Sequence, residues 1–338
     1  MKTTLNVPVN STYHEVKSEF AIQWEKNKDE KYKEYRRKWS ENAKNFIVEK
    51  APLHLDIEPT NACNLKCPMC PRTVILNDES KNENFHVGNM KLETFKKLID
   101  EAVEIGVYSI KLNWLGEPLV HKDIVEMVRY AKEKGIIDVM FNTNAALLTE
   151  DISRKLIEAG LDKIFFSFDS PYKEQYEEIR VGASYEESLE NIKSIVKIRN
   201  SMGKTTPLTR VSMVLMDDNK EAYNDFVELF KDIVDIVAYV EYREPIGEGM
   251  EITENVNGFA CAQLWERMFV AWDGEVIVCC VDSERGYVAG NIHENSIKEI
   301  WNGEKYAHIR KCHKDGEFYK IGICSKCDLP LRKKDGDV

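Results

Sequence analysis

The sequence predicts an α/β protein: a partial (β/α)6 TIM-like barrel, an N-terminal helical extension and a small C-terminal α+β domain. Three observations carry this. Six short apolar runs alternate with helical stretches between residues 51 and 245, the pattern of parallel βα units with right-handed crossovers. Six units are too few for a closed eight-unit barrel, so an open one follows. Beyond residue 245 the alternation stops, and six of the nine cysteines lie there.

Taken in order, residues 1–50 are rich in charge, with Phe20, Trp24, Tyr32, Tyr35, Trp39 and Phe46 spaced as one face of a helix. That face is expected to dock on the main domain. Residues 51–245 form the core. Its strands are expected at 53–58, 109–114, 137–142, 163–169, 208–216 and 236–243, and its helices near 91–106, 122–134, 149–159, 172–200 and 220–231. Residues 246–338 form the last unit. The Gly-containing segment 244–258 reads as a linker, FVAWDGEVIVCC as a hairpin turning at Asp273-Gly274, and 296–310 as a short helix.

The composition is that of an ordinary globular protein, 43% hydrophobic and 31% charged, with a formal net charge of −11. That charge argues against a nucleic-acid-coating surface. No run of about 18 apolar residues would span a membrane, and the N-terminus has no apolar signal region. The chain is therefore expected to be cytoplasmic, where cysteines serve as metal ligands or reactive thiols more than as disulfides.

Three cysteines, Cys63-x3-Cys67-x2-Cys70, follow directly on the first strand, at the rim where such barrels do their chemistry. Three thiolates can hold three irons of a cubane cluster and leave the fourth open to a chelating small molecule. Zinc normally takes four ligands. Within IEPTNACNLKCPMCPRT, this motif resembles the radical S-adenosylmethionine (SAM) superfamily, whose members share a partial (β/α)6 barrel. The resemblance covers about residues 51–330.

The resemblance implies SAM contacts at Met69, Gly116, Glu117, Asn142, Ser167, Asp169 and Arg180. Gly116-Glu117-Pro118 matches a GGE-like motif with Leu115 at its first position. Asn142-Thr143-Asn144 matches a TNG segment, with Asn144-Ala145 where Asn-Gly is usual.

Cys261, Cys279, Cys324 and Cys327 resemble the ligands of a SPASM domain in its smaller "twitch" form, which implies one auxiliary [4Fe-4S] cluster and two clusters in all. Four thiolates also suit a zinc ion. Cys280, on the opposite face of an extended strand from Cys279, and Cys312 are left over. Either can be a small buried hydrophobe; the alternatives are that one is a catalytic thiol returning a hydrogen atom to a substrate radical, or an extra cluster ligand.

The family implies reductive cleavage of SAM to a 5′-deoxyadenosyl radical, with electrons from a flavodoxin- or ferredoxin-type donor. The single-cluster pattern resembles aminocyclitol dehydrogenases, which implies oxidation of a sugar or aminocyclitol alcohol. Glu241, Tyr242 and Arg243 end the last strand, where Arg243 in particular is placed to act on substrate. Epimerisation through Cys280 or Cys312 and maturation of a ribosomal peptide are the alternatives. An electron carrier would not need the SAM-contact segments.

Overall fold

The computed structural model describes residues 7, 13–83, 85–243 and 251–332. Part of the expected linker, residues 244–250, lies outside the described residues. Among the described residues, ten strands form one sheet: β1 (Tyr13–Lys17), β2 (His54–Ile57), β3 (Ser109–Lys111), β4 (Asp138–Thr143), β5 (Lys163–Ser167), β6 (Leu208–Leu215), β7 (Ile236–Glu241), β8 (Arg267–Val270), β9 (Glu275–Ile277) and β10 (Val288–Asn291). The order is β1-β7-β6-β5-β4-β3-β2-β8-β9-β10, which leaves the barrel unclosed. Strands β2 to β7 are parallel neighbours, the six expected units.

Both flanking segments join this sheet. The hairpin β8–β9 turns at Asp273-Gly274 as expected, and β8 pairs in parallel with β2. At the other edge β1, where only helix was expected, runs antiparallel to β7.

Strand side chains alternate between two faces. Leu55, Ile57, Ile110, Val139, Phe141, Ile164, Phe166, Val211 and Met213 are fully buried in the core cluster. Their alternates Lys111, Met140, Lys163, Phe165 and Arg210 line an interior cavity. Closed eight-stranded barrels fill that interior with packed side chains; here it holds polar groups and space.

The expected docking of the N-terminal aromatics is where that space is sealed. Helices Glu19–Lys26 and Glu30–Lys44 start at caps Ser18 and Asp29 and bury Trp24, Tyr32, Tyr35 and Trp39. Ser109 Oγ donates to Tyr35 Oη (2.8 Å) and Lys163 Nζ to Tyr32 Oη (3.0 Å), which fixes the helices beneath β3 and β5.

The single helix expected over 172–200 is two, Lys173–Ile179 and Tyr185–Ser201. The apolar pattern runs through the break, so periodicity misses it. Gly182 takes φ +99° there, and Val181 O accepts from Lys66 N (2.9 Å) in the cysteine loop. The break thus ties Arg180 to the first cysteine site.

Candidate cofactor and substrate sites

The loop after β2 brings Cys63, Cys67 and Cys70 to a cavity of about 210 Å³ that Met69, Gly116, Glu117, Asn142, Ser167 and Arg180 also line. Two hydrogen bonds shape the loop: Arg72 Nε donates to Asn61 O (2.6 Å) and Glu117 N to Ala62 O (2.9 Å). At Gly116 a Cβ would lie 2.1 Å from Thr60 O, so only glycine lets the two loops pass this closely.

Glu117 is buried and held from three sides. Thr143 Oγ1 and Leu119 N donate to Oε1 (2.8 and 3.1 Å), and Asn144 N donates to Oε2 (2.8 Å). Burial pushes its pKa up to about 7. Ala145 takes φ +63°, the left-handed conformation that explains a glycine preference at this position.

Of the residues expected to contact SAM, Asp169 does not line this cavity. It lies behind it, fully buried, with Oδ2 2.5 Å from Arg180 Nε and Oδ1 accepting from Val214 N (2.7 Å). Asp169 positions Arg180, whose Nη1 is 3.9 Å from Cys67 Sγ. Sequence reasoning missed Glu58, whose buried carboxyl accepts from Leu115 N (3.1 Å) and Trp272 N (3.4 Å) and is pushed up to about 7 by burial.

These residues fit the groups the motif implies. Burial pushes the Cys63 thiol up to about 11 and also raises Cys67, so the thiolates need a cationic partner. Among the described residues, three thiols line the cavity with no fourth beside them, and Asn142 Oδ1 is buried there without a partner.

Cys261, Cys279, Cys324 and Cys327 line a second cavity with Arg243, Gln263 and His313. Burial pushes Cys261 up to about 12 and Cys324 well above its ordinary value. Among the described residues, no three metal-binding side chains close around a single point, as one zinc ion with Zn–S bonds of about 2.3 Å requires. Four thiols can hold a [4Fe-4S] cluster.

Three expected catalytic residues are differently placed. Cys280 lines the barrel cavity, where Gln263 Nε2 donates to its sulfur (3.2 Å), and its thiol lies beside that of Cys279. Cys312 lines neither this cavity nor the second; its sulfur lies 3.9 Å from His308 Nε2 on its own helix, away from both cavities. Arg243 is held by Asp328 Oδ1 (2.9 Å) and reaches Cys327 Sγ (3.4 Å). Glu241 is exposed in an ion pair with Arg332, outside the cavity.

The barrel cavity is the largest of the three, about 530 Å³. Lys111, Met140 and Phe165 line it, and two residues further along the same strand paths Asn113, Asn142 and Ser167 line the first cysteine cavity. The two are thus offset by one inward layer, about 6.6 Å. Arg243, Phe259, Cys261, Gln263 and Leu329 form a wall shared with the second cysteine cavity.

An open parallel barrel with a three-cysteine loop at its rim, followed by a four-cysteine domain, defines a class of iron–sulfur enzyme. Residues 57–233 match the radical SAM superfamily, and residues 261–328 match SPASM, an iron–sulfur cluster-binding domain. The chain belongs to the radical SAM superfamily, and its cofactors are SAM and more than one [4Fe-4S] cluster. It is 27% identical over 331 residues to a tungsten-containing aldehyde ferredoxin oxidoreductase cofactor-modifying protein of Pyrococcus furiosus, covering 82% of this chain and 87% of that protein. BtrN in complex with AdoMet and 2-DOIA superposes with a TM-score of 0.55 at 22% identity, over 83% of this chain and 94% of BtrN. SuiB of Streptococcus suis bound to S-adenosylmethionine gives 0.61 at 19%, over 91% of this chain and 81% of SuiB.

Proposed function

We propose that this enzyme oxidises an alcohol of a small polar molecule held in the barrel cavity. The observation that carries the reading is the shared wall: Cys261 lines both the barrel cavity and the auxiliary cysteine site. What the bound groups supply is hydrogen-atom abstraction by a 5′-deoxyadenosyl radical at the first site and uptake of an electron at the second.

The chain's own residues do the rest. Glu117, Asn142, Ser167 and Arg180 receive the polar groups of SAM, and Asp169 holds Arg180 in place. Tyr32, Tyr35 and Trp39 close the cavity floor and exclude water from a radical. The proton that leaves with the electron has Glu15, Glu25 and Glu266 on the cavity wall to receive it. Electrons enter from a flavodoxin- or ferredoxin-type donor.

Cys280 on the same wall favours a second reading, in which its thiol returns a hydrogen atom and the reaction is an epimerisation. One experiment separates the two. Reconstituted protein, SAM and reductant are incubated in heavy water with a panel of sugars, sugar phosphates, aminocyclitols and short peptides. Oxidation gives 5′-deoxyadenosine and a product two hydrogens lighter. A product of unchanged oxidation state carrying one deuterium overturns oxidation and selects Cys280.

A further inference from the structure

We propose that the barrel cavity is built for a substrate bearing a phosphate ester, gripped by Lys111 between the guanidinium groups of Arg210 and Arg267. The proposal deepens the preceding one and rests on it only in placing substrate in this cavity. All three side chains line it, and Lys111 lies two residues before Asn113, which lines the first cysteine cavity.

Lys111 makes no hydrogen bond or ion pair with any of the described residues, and the inner face of β3 turns its ammonium into the cavity. The carboxylate that acts on it is Asp56, and Asp56 is already shared: Oδ2 lies 3.4 Å from Arg267 Nη1 and 3.6 Å from His54 Nε2. Two guanidinium groups, those of Arg267 and Arg210, repel the ammonium, and burial with this repulsion lowers its pKa. Arg267 carries a further sign of a missing acceptor, since its Nε is buried without a hydrogen-bond partner.

The wall also carries Glu15 and Glu25, which pair with Lys17, and Glu266, which acts on Arg267. Lys111 has no ion-pair partner among the described residues, and a buried ammonium is costly unless an anion joins it. The arrangement is also well formed for one. Arg210 Cζ lies 3.7 Å from the centre of the Phe165 ring, which holds the guanidinium on the cavity wall. An ammonium is a compact point charge, and a guanidinium is a planar fork matched to oxyanions. A phosphate ester brings about −1.5 to −2 charge and three acceptor oxygens, enough for all three cations. A carboxylate offers two oxygens and one charge. An ammonium-bearing aminocyclitol would meet repulsion here, so the charge of the pocket turns the expectation from aminocyclitols toward phosphorylated sugars.

A cavity of about 530 Å³ lies within the range of small-molecule sites. With the phosphate at Lys111, the carbon skeleton extends toward the first cysteine cavity, where a carbinol hydrogen must lie.

The test is equilibrium dialysis of the anaerobically reconstituted holoenzyme against radiolabelled inorganic phosphate, at fixed ionic strength. One saturable site per chain is expected. Lys111→Met weakens it by at least ~10-fold, the scale of one charge-assisted hydrogen bond, whereas Lys111→Arg retains most of the affinity and shows that the fold tolerates change at this position. Absence of saturable binding at millimolar phosphate overturns the proposal, as does equal affinity in wild type and Lys111→Met. Acetate competing as well as phosphate overturns the phosphate assignment. A redox-neutral product in the heavy-water experiment overturns the oxidation reading alone and leaves the phosphate site standing.

Discussion

His313 Nε2 lies 3.4 Å from Cys324 Sγ, while its Nδ1 accepts a hydrogen bond from the backbone N–H of Cys261 (3.1 Å). Burial keeps the ring neutral, pushing its pKa down to about 3. With Nδ1 accepting, the one ring proton is on Nε2 and points at the Cys324 sulfur. Arg243 Nη2 makes a similar approach to Cys327 Sγ (3.4 Å). Donors to ligand sulfurs stabilise the reduced, more negative cluster and raise its potential.

His313→Phe removes one such donor. The auxiliary cluster's potential should fall by about 20–65 mV, the one-electron equivalent of a net hydrogen bond of ~0.5–1.5 kcal/mol. A redox titration followed by electron paramagnetic resonance checks this, and an unchanged potential would show that the ring only fills space.

Asp169→Asn leaves the Arg180 guanidinium buried without its carboxylate. Breaking a buried pair costs about 3–5 kcal/mol. Because Arg180 lines the first cysteine cavity and Asp169 does not, SAM binding is expected to weaken as well. Thermal denaturation and a SAM titration read the two effects separately.

At Gly116 the constraint is steric. Gly116→Ala drives a methyl group into Thr60 O, and overpacking against fixed backbone costs about 3 kcal/mol or more. The displaced partner is the cysteine loop itself, so iron retained at Cys63, Cys67 and Cys70 should drop. Full iron loading would contradict this reading.

Glu266 gives a pH signature. It is buried, its Oε1 has no hydrogen-bond partner, and burial raises its pKa to about 7. The unfolded carboxyl titrates near ~4.3. Between these values the folded chain holds more protons than the unfolded one, so this group's contribution is full below about 4.3 and is lost as pH rises toward 7. Glu266→Gln lacks that slope. Relative to wild type it should gain stability between pH 4.5 and pH 8 in thermal melts, and parallel curves would contradict the assignment.

Much of this was legible in the sequence because the signals are local. The six βα units follow from runs such as KIFFSFD and LTRVSMVLM, and the rim site from the tight spacing of Cys63, Cys67 and Cys70. What escaped depends on partners distant in sequence. The edge strand Tyr13–Lys17 exists only through its pairing with β7, and Val16 within it stays 51% exposed. The break at Arg180 is set by Lys66, more than a hundred positions earlier. His313 has no metal-spaced histidine near it, and it gains meaning only when its helix packs beside Cys261 and Cys324. Lys111 reads as one polar residue in SIKLNW until the open barrel turns it inward. Gly182 was the available signal for the helix break, and the polar alternates along the strands were the signal for a hollow interior.

The most direct test of two separate cluster sites is iron and sulfide per chain after anaerobic reconstitution, in wild type and two multiple variants. The account predicts about eight irons in wild type. About four should remain with Cys63, Cys67 and Cys70 changed to alanine, with SAM cleavage abolished. About four should also remain when Cys261, Cys279, Cys324 and Cys327 are changed, with SAM cleavage retained. About four irons in wild type, or an undiminished iron content in the second variant, would contradict the auxiliary cluster and with it the electron acceptor on the cavity wall.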